Sequence, residues 1–358
     1  MTVHVVGGGV IGLASAWELS RRGHEVAVVA PDPGGDGSSW VAAGMLAPVT
    51  EAHFGERALT ALLVDGAARW PAFAAELEAA SGLALGYDTA GTVTVALDTS
   101  DRATLDDLLD YQHALGLEAH RRSASECRRL VPALSPSVRG GVEVPGDHQV
   151  DNRALLAALV EACRRAKVTF IAGTVTSVDA GPTLVLTDGR RLGGDHVVLA
   201  AGVGTASLRS TLDLALPAVR PVKGHIVRLG PAPGQAGGPA LLPRTVRALV
   251  HGRSVYLVPR PDGSLVVGAT VEERGYDTAV LAGAIHELLC DARCVVPGLD
   301  ELELREAAVG LRPALTDTLP YMGWTAHPKV AVATGHFRNG VLLAPLTAAV
   351  VADLVASA

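Results

Sequence analysis

Three glycines near the start of the chain have the spacing of a dinucleotide-binding turn. Gly7-x-Gly9-x-x-Gly12 follows the strand-like run Val3–Val6 and opens a helix-like stretch. Such a turn lets the backbone approach a pyrophosphate, and the N–H groups and positive dipole end of the helix face the phosphates. The motif therefore predicts a dinucleotide site, although its glycines alone do not distinguish NAD from FAD.

The end of the second predicted strand departs from the usual dinucleotide-binding pattern. An acid normally stands there and holds the ribose hydroxyls. Ala30 and Pro31 occupy this position instead, and the nearest acid is Asp32. Two arrangements remain open: Asp32 reaches back to the ribose, or backbone groups and water replace the acid. The departure argues against a freely exchanging NAD.

Two segments of small, mostly uncharged residues favour FAD. They span Ser38–Pro48 and Thr334–Pro345. Small residues let the backbone approach a flat ring closely. Gly340 stands before the closing helix, whose N–H groups and positive dipole end would stabilise negative charge at the carbonyl edge of a reduced flavin.

One cation stands in an apolar run of the C-terminal third. Arg312 lies between Ala308–Leu311 and Pro313. An unpaired charge in such surroundings is costly, which favours a ligand role over a surface salt bridge. Tyr256 alternates within a predicted strand, so a core position and a ligand position both remain open. His225 is interpreted as a packed strand residue rather than a ligand.

The elements that must position these residues form two domains. Apolar strands end at Gly7, Gly202 and Gly335, and the carboxyl ends of parallel strands form the ligand-binding edge of open α/β sheets. We expect an α/β, Rossmann-like nucleotide-binding domain that is discontinuous. An α+β domain with a mixed or antiparallel sheet is inserted into it. The predicted boundaries are 1–84, 149–217 and 308–358 for the first domain and 85–148 and 218–307 for the second.

Hydrophobic periodicity predicts the individual elements. The predicted helices span residues 11–22, 55–82, 101–116, 153–166, 278–292 and 341–356. The predicted strands span residues 3–6, 25–30, 91–97, 168–170, 175–178, 183–186, 196–201, 223–228, 254–259, 264–270 and 329–334.

Composition limits the classes of protein and partner. The chain has 358 residues, of which 49% are apolar and 19% are charged, so about two domains with large cores are expected and wholesale disorder is excluded. The formal net charge of -7 does not suit a nucleic-acid or anionic-membrane binder.

The same reasoning addresses membranes, localisation and metals. The longest apolar run, Val341–Val355, is shorter than the roughly 20 residues of a bilayer span. No export signal is visible, so a cytoplasmic protein is expected. Cysteines stand only at Cys127, Cys163, Cys290 and Cys294, without zinc spacing. They are interpreted as reduced, structural thiols, and no metal site is expected.

Six motifs together resemble one family. In chain order they are VVGGGVIGLASAWEL, SSWVAAGMLAP, PVKGHIV, VYLVPRPDGSLVVGAT, GLRPALTDTLPYMG and ATGHFRNGVLLAP, from residue 5 to residue 345. The chain thereby resembles the FAD-dependent D-amino acid oxidase superfamily, and most closely its glycine oxidase branch, which serves thiazole formation for thiamin. GHFRNG with an upstream GLRP is fairly specific to this branch, whereas the other motifs are shared across the superfamily.

The resemblance implies noncovalently bound FAD and a set of contacts to it. The matching positions are Val10, Ile11, Ser38, Ser39, Ala43, Gly44, Met45, Val175, His336, Phe337, Arg338, Asn339, Gly340, Val341 and Leu342. To these the predicted cofactor site adds Gly7, Gly9, Gly12, Ala30, Pro31, Asp32, Ala201 and Gly202. His336 is expected to be a flavin neighbour rather than a catalytic base.

The resemblance also implies a carboxylate site. The carboxylate of an amino acid would pair with Arg312, supported by Tyr256 and Arg338, because a guanidinium meets a carboxylate bidentately. The family's histidine and methionine in this pocket are replaced by Ser254 and Val271. Val271 is expected to line the substrate pocket. His251 and Arg253 are the neighbours that would fill the space left by the histidine.

The implied activity is oxidative deamination of glycine and other small amino acids. Hydride passes from Cα to flavin N5 without a required side-chain base, and oxygen reoxidises the flavin to give hydrogen peroxide. The competing hypotheses are a D-amino acid or sarcosine oxidase, a quinone-linked dehydrogenase, a flavin domain that modifies tRNA, and a flavin scaffold without turnover. The expected partners are a small amino acid and oxygen, with no nucleic acid and no membrane. A homo-oligomer, a tetramer by resemblance, is expected.

Overall fold

The computed structural model of the chain describes residues 1–35, 37–232 and 240–358. In these ranges the α-helices are α1 (Val10–Arg21), α2 (Ser38–Val41), α3 (Arg57–Ser81), α4 (Thr99–Ala114), α5 (Ala124–Leu130), α6 (Asn152–Arg165), α7 (Ala282–Val295) and α8 (Gly340–Ala356). Short 3₁₀ helices span Gly202–Ser207 and Pro297–Glu301.

The strands belong to four sheets. In chain order they are β1 (Thr2–Val6), β2 (Glu25–Ala30), β3 (Met45–Leu46), β4 (Thr92–Ala96), β5 (His120–Ser123), β6 (Gly140–Val144), β7 (His148–Gln149), β8 (Thr169–Ala172), β9 (Val175–Asp179), β10 (Thr183–Leu186), β11 (Arg191–Gly193), β12 (His196–Leu199), β13 (Arg209–Ser210), β14 (Arg220–Gly230), β15 (Thr245–Val250), β16 (Arg253–Pro259), β17 (Leu265–Gly268), β18 (Glu303–Ala314), β19 (Tyr321–Trp324) and β20 (Val330–Thr334).

A six-stranded sheet forms the centre of one half of the molecule. Its order is β19-β20-β12-β1-β2-β8, and every pairing is parallel except that of β19 with β20. Helices α1, α3, α6 and α8 pack against one another beside it around Leu13, Trp70 and Leu343. The apolar runs of β1, β12 and β20 are buried on both faces, as parallel strands covered by helices require.

An eight-stranded sheet forms the other half. Its order is β18-β14-β17-β16-β15-β4-β6-β5, and all pairings are antiparallel except β15 with β4. Helix α7 covers one face through Leu288 and Val295. The remaining sheets are small, with orders β11-β10-β9-β13 and β3-β7. The predicted fold class, α/β with a second mixed sheet, is confirmed.

Several elements differ from the prediction, among them α5, β5, β6, β15 and β19, which were not predicted. Two further differences bear on the site and have a physical reason. Strand β18 was not predicted, because Glu303–Ala314 neither alternates nor forms a continuous apolar run; its pairing with β14 creates it. The predicted domain boundary at residue 308 falls inside β18. Helix α7 begins at Ala282 rather than near residue 278, because Leu281 is extended and donates its N–H to the ring of His225 at 3.1 Å.

The described residues also bear on membranes and metals. None of the helices described is both long and apolar enough to cross a membrane. No group of three metal-ligating side chains lies together in the described ranges. All cysteines are free; Cys127 and Cys163 are buried, whereas Cys290 and Cys294 are exposed on α7.

Candidate active site

A cavity of about 790 Å³ begins at the carboxyl edge of the six-stranded sheet and ends beneath the eight-stranded sheet. This volume lies in the upper part of the roughly 300–1,000 Å³ range of cofactor and ligand clefts. The glycine turn lines one end, and Arg312 and Tyr256 line the other. Apart from Gly12 and Leu342, every residue predicted to contact cofactor or substrate lines this cavity.

The glycine turn has the close packing that its motif predicts. Gly7 has φ +119°, and a Cβ there would lie 2.3 Å from the carbonyl oxygen of Ala200. A Cβ on Gly12 would lie 2.0 Å from the carbonyl oxygen of Gly7, so this glycine seats α1 against β1 instead of lining the cavity. Helix α1 begins at Val10, whose N–H donates to Ser39 Oγ at 3.1 Å, and its first turn lines the cavity end. A helix N-terminus in this position suits a pyrophosphate.

The residues at the predicted ribose position, Ala30, Pro31 and Asp32, all line the cavity. Ala30 is buried in β2, whereas Pro31 and Asp32 are exposed. The Asp32 carboxylate lies over the backbone of its own turn, because a Cβ on Gly35 would meet Asp32 Oδ2 at 2.0 Å. This placement favours backbone groups and water, rather than Asp32, as the replacement for the missing acid.

The segment around Ser38–Ala43 crosses the cavity and is held from behind by polar side chains. Asn152 Nδ2 donates to the carbonyl oxygens of Ser39 and Trp40 at 2.8 Å each. Arg260 Nη2 donates to the carbonyl oxygen of Ala43 at 2.6 Å. The sequence did not predict Asn152 and Arg260 as site residues, because no local pattern links residues 108 positions apart.

The start of α8 forms another wall. Asn339 and Gly340 bring the first-turn N–H groups of a 17-residue helix to the cavity. His336 is buried, and its Nε2 lies 2.9 Å from Thr347 Oγ1. Burial lowers the pKa of His336 to about 3, so the ring is neutral near pH 7 and does not change its charge there. Leu342 points into the helical core instead, and its carbonyl accepts the indole N–H of Trp70.

The guanidinium of Arg312 lies over β14. Its Nη1 donates to the carbonyl oxygens of Thr270 at 3.1 Å and Lys223 at 3.5 Å. A Cβ on Gly224 would lie 2.3 Å from Nη1, so the absence of a side chain there makes room for the guanidinium. Burial lowers the pKa of Arg312 from its ordinary value. Among the described residues no carboxylate forms an ion pair with Arg312, which leaves its charge for a ligand.

Tyr256 lies beside Arg312 in β16. Its hydroxyl packs over Gly268, where a Cβ would lie 2.4 Å away. Burial raises the pKa of the phenol, so the hydroxyl stays protonated and can donate a hydrogen bond. Arg312 and Tyr256 together present a cation and a neutral donor to the same part of the cavity, an arrangement suited to a carboxylate.

Arg338 is engaged by a carboxylate that the sequence did not predict as a site residue. Glu51 is buried between Arg338 Nε at 2.5 Å and Arg247 Nη1 at 2.6 Å. Burial alone would raise the pKa of Glu51, but the two guanidinium groups outweigh it and lower the pKa to about 2. Arg338 is itself exposed, so it contributes to the site as the outer partner of the buried Glu51 rather than as a free cation.

The outer rim of the cavity is open. Val271 lines it with 62% of its surface exposed, and Ser254 is also exposed. His251 and Arg253 do not fill the space: His251 Nδ1 lies 3.2 Å from Asp98, and Arg253 is paired with Asp291. Neither residue lines the cavity.

A glycine turn, two helix N-termini and a long cavity at a sheet edge define a dinucleotide-dependent enzyme. A family profile described as FAD dependent oxidoreductase matches residues 2–354. The chain belongs to this family, and its cofactor is FAD. The residues present fit this cofactor, because the close-packed glycine turn and the helix N-termini line one continuous cavity large enough for it.

Individual relatives are similar over nearly the whole chain. A glycine oxidase from Geobacillus kaustophilus is 34% identical, with 99% of this chain and 92% of the relative covered. The crystal structure of glycine oxidase from the same organism superposes with a TM-score of 0.89 at 33% identity, covering 99% of this chain and 94% of that chain. A bifunctional protein ThiO/ThiG from a Nostoc species is 34% identical over 98% of this chain, which spans about half (52%) of that relative.

Proposed function

We propose that this chain catalyses the FAD-dependent oxidation of glycine and other small amino acids with oxygen as the electron acceptor. The single observation that carries the proposal is the position of Arg312 at the end of the cofactor cavity, beside the protonated hydroxyl of Tyr256. Among the described residues, no carboxylate forms an ion pair with this guanidinium. Similarity to glycine oxidases over 99% of the chain supports glycine as the substrate.

The protein residues bind and orient the substrate in this proposal. Arg312 holds the carboxylate bidentately, and Tyr256 donates a further hydrogen bond to it. The amine must be neutral when Cα is oxidised. His336 is hydrogen-bonded to Thr347, and burial lowers its pKa, so its neutral ring is a weak base and is not assigned the amine proton. The glycine turn and the N-termini of α1 and α8 would hold FAD, which when bound would supply the two-electron acceptor chemistry for the oxidation of Cα, with oxygen as the final acceptor.

The overall reaction balances without another reactant. Glycine loses two hydrogens to oxygen, which becomes hydrogen peroxide, and the resulting imine adds water to give glyoxylate and ammonia. The relatives named ThiO/ThiG support a role in thiazole formation for thiamin, in which the imine is consumed before it is hydrolysed. We also propose the cofactor contacts and the domain boundaries predicted from the sequence, a cytoplasmic localisation and a homo-oligomer. Light scattering of the purified protein measures the oligomer.

A second candidate rests on the open rim. Because Ser254 and Val271 leave space beside the carboxylate site, sarcosine or a small D-amino acid is the competing substrate. A quinone could replace oxygen as the electron acceptor without any change in the carboxylate site. A role in tRNA modification is disfavoured, because the net charge of -7 does not suit an RNA-binding surface.

Product analysis under turnover tests the proposal. Purified FAD-loaded protein is given glycine, sarcosine, D-alanine and D-proline, with L-alanine as the control, and peroxide, ammonia and oxo acid are quantified. Equal amounts of glyoxylate, ammonia and peroxide from glycine, at the highest kcat/KM, support the proposal. A higher kcat/KM for sarcosine or a D-amino acid supports the second candidate. Turnover only with an added quinone rejects oxygen as the acceptor.

A further inference from the structure

A segment of twelve residues, 270–281, follows β17 and lies along the rim of the cavity; we call it the strap. Val271 and Thr278 of the strap line the cavity. We propose that Lys223 and His225, on β14, are positioning residues that hold the strap in place and thereby orient Arg312 for its carboxylate ligand. The inference rests on the proposed function, because Arg312 must bind a carboxylate.

Lys223 joins the strand to the middle of the strap. Its side chain is completely buried, and its Nζ donates to Asp277 Oδ2 and to the carbonyl oxygen of Ala279, both at 2.7 Å. The backbones of Lys223 and Glu272 also exchange two hydrogen bonds of 2.8 and 2.9 Å. A buried ammonium is costly unless paired, so the strap must stay in contact with this lysine.

His225 joins the strand to both ends of the strap. Its Nε2 accepts the N–H of Leu281 at 3.1 Å, so the neutral ring carries its proton on Nδ1. Nδ1 lies 2.9 Å from both Thr270 Oγ1 and Glu272 Oε1. Thr270 Oγ1 also accepts the backbone N–H of His225 at 2.9 Å. One fully buried imidazole therefore fixes the first and the last residue of the strap.

These contacts lead directly to Arg312. The two carbonyl oxygens that accept from Arg312 Nη1 belong to Thr270 and Lys223. The carbonyl of Thr270 therefore belongs to a strap residue that His225 contacts, and the carbonyl of Lys223 belongs to the lysine that binds Asp277. A displacement of the strap removes the shorter of these hydrogen bonds and releases one side of the guanidinium.

Polar contacts must provide most of the interactions that hold the strap, because the strap has little apolar packing. Val271, Tyr276 and Val280 of the strap are exposed by 62%, 56% and 47%. A segment with few buried apolar contacts opens at low free-energy cost unless other interactions hold it. An exposed ion pair between Arg220 and Glu273 also links β14 to the strap, but exposed pairs contribute little.

The test compares buried and exposed links between the same strand and the same strap. The variants are Lys223→Met, His225→Leu and His225→Asn, with Arg220→Gln as the matched control. Each FAD-loaded protein is titrated with glycolate, which has the carboxylate of glycine and a hydroxyl in place of its amine, and the flavin absorbance reports binding. Hydrogen exchange of residues 270–281 is measured by mass spectrometry on the same proteins.

We expect the glycolate Kd to rise at least fivefold in Lys223→Met and His225→Leu, with faster exchange of the strap and unchanged FAD content. His225→Asn keeps an N–H near the position of Nδ1 and should recover part of the affinity. Arg220→Gln should stay within twofold of wild type. Lys223→Met is the safer variant for folding, because Asp277 is partly exposed and remains solvated.

Different results would contradict the coupling to Arg312, the positioning role and the proposed function. A glycolate Kd within twofold of wild type, in variants whose strap exchanges faster, overturns the coupling to Arg312. Unchanged strap exchange in both Lys223→Met and His225→Leu overturns the positioning role. If wild type binds glycolate but oxidises none of the amino acids, the proposed function fails while the positioning role is still measured. If wild type binds neither glycolate nor acetate, both fail.

Discussion

Arg312 is the residue on which the proposed chemistry depends. It is held by two backbone carbonyls, it has no carboxylate partner among the described residues, and it lies beside a protonated phenol. Burial lowers its pKa without removing its charge, since a guanidinium is not deprotonated near neutral pH. A half-buried cation in this state gains stability when a carboxylate enters the cavity.

Replacing Arg312 should damage substrate binding far more than cofactor binding. For Arg312→Met we expect kcat/KM for glycine to fall by a factor of about 30 to 1,000, because losing one partner of a buried charge pair costs about 2–4 kcal/mol. Arg312→Lys keeps the charge but loses the fork and should be intermediate. Arg69→Gln, which removes an exposed pair with Asp65 on α3, serves as the control. A normal kcat/KM in Arg312→Met would contradict the assignment.

Glu51 should contribute strongly to stability. Glu51→Gln removes the ion-pair partner that the described residues give to the buried Arg247, so we expect the free energy of unfolding at pH 7 to fall by about 3–5 kcal/mol. The lowered pKa means that this stability is complete above the ordinary pKa of 4.5 and is lost as the pH falls towards about 2. Urea unfolding from pH 7 to pH 3 measures both effects.

The pH dependence distinguishes a buried ion pair from ordinary packing. The difference between wild type and Glu51→Gln should shrink below pH 4.5. Glu18→Gln, which removes a carboxylate from the exposed pairs with Arg21 and Arg22, should change stability by about 1 kcal/mol or less. If the free energies of unfolding of wild type and Glu51→Gln differ by the same amount at every pH, Glu51 is not ionised between Arg247 and Arg338.

At the residue scale, sequence reasoning reached Arg312 but not Glu51. A charge between the apolar run Ala308–Leu311 and Pro313 is a local signal that the sequence displays. Glu51 and Arg247 are 196 positions apart, and each stands in a segment that gives no sign of the other. Their pairing depends on the fold, so only the structure could bring them together.

At the element scale, the register of β14 against β18 builds the carboxylate site. Val222 pairs with Arg312 and Gly224 with Gly310, which brings the guanidinium onto the backbone at Gly224. Both strands are long and antiparallel, and an antiparallel ladder fixes which side chains share a face. The sequence predicted only the middle of β14 and none of β18, because the two strands are far apart in the chain and neither contains a local signal of the pairing.

A single methyl group on β14 should test this register. Gly224→Ala places a Cβ 2.3 Å from Arg312 Nη1, so the guanidinium must move; we expect the glycolate Kd to rise about tenfold with little loss of FAD. Gly230→Ala is the matched control on the same strand, because its Cβ would meet Arg305 at 2.0 Å, but the Arg305 side chain is 44% exposed and lies outside the cavity. Equal effects of the two variants would contradict the close packing of Arg312 on Gly224.

At the scale of the whole molecule, one cavity connects two kinds of sheet. The six-stranded sheet provides the carboxyl edge and the helix N-termini for FAD, and the eight-stranded sheet provides Arg312 and Tyr256. The glycine spacing and three strands ending in glycine were enough to predict the first half, because Rossmann-like units are encoded by local patterns. The second half depends on pairings between distant strands, so the sequence predicted its presence but not its order.

The central claim is that glycine donates electrons to the FAD of this protein. The most direct measurement is the absorbance of the FAD-loaded protein under anaerobic conditions after glycine is added, followed by admission of oxygen. We predict complete bleaching by glycine, with recovery of the absorbance and one peroxide per flavin on aeration, and no bleaching by L-alanine. An FAD-loaded protein that glycine, sarcosine, D-alanine and D-proline all fail to bleach would contradict the account.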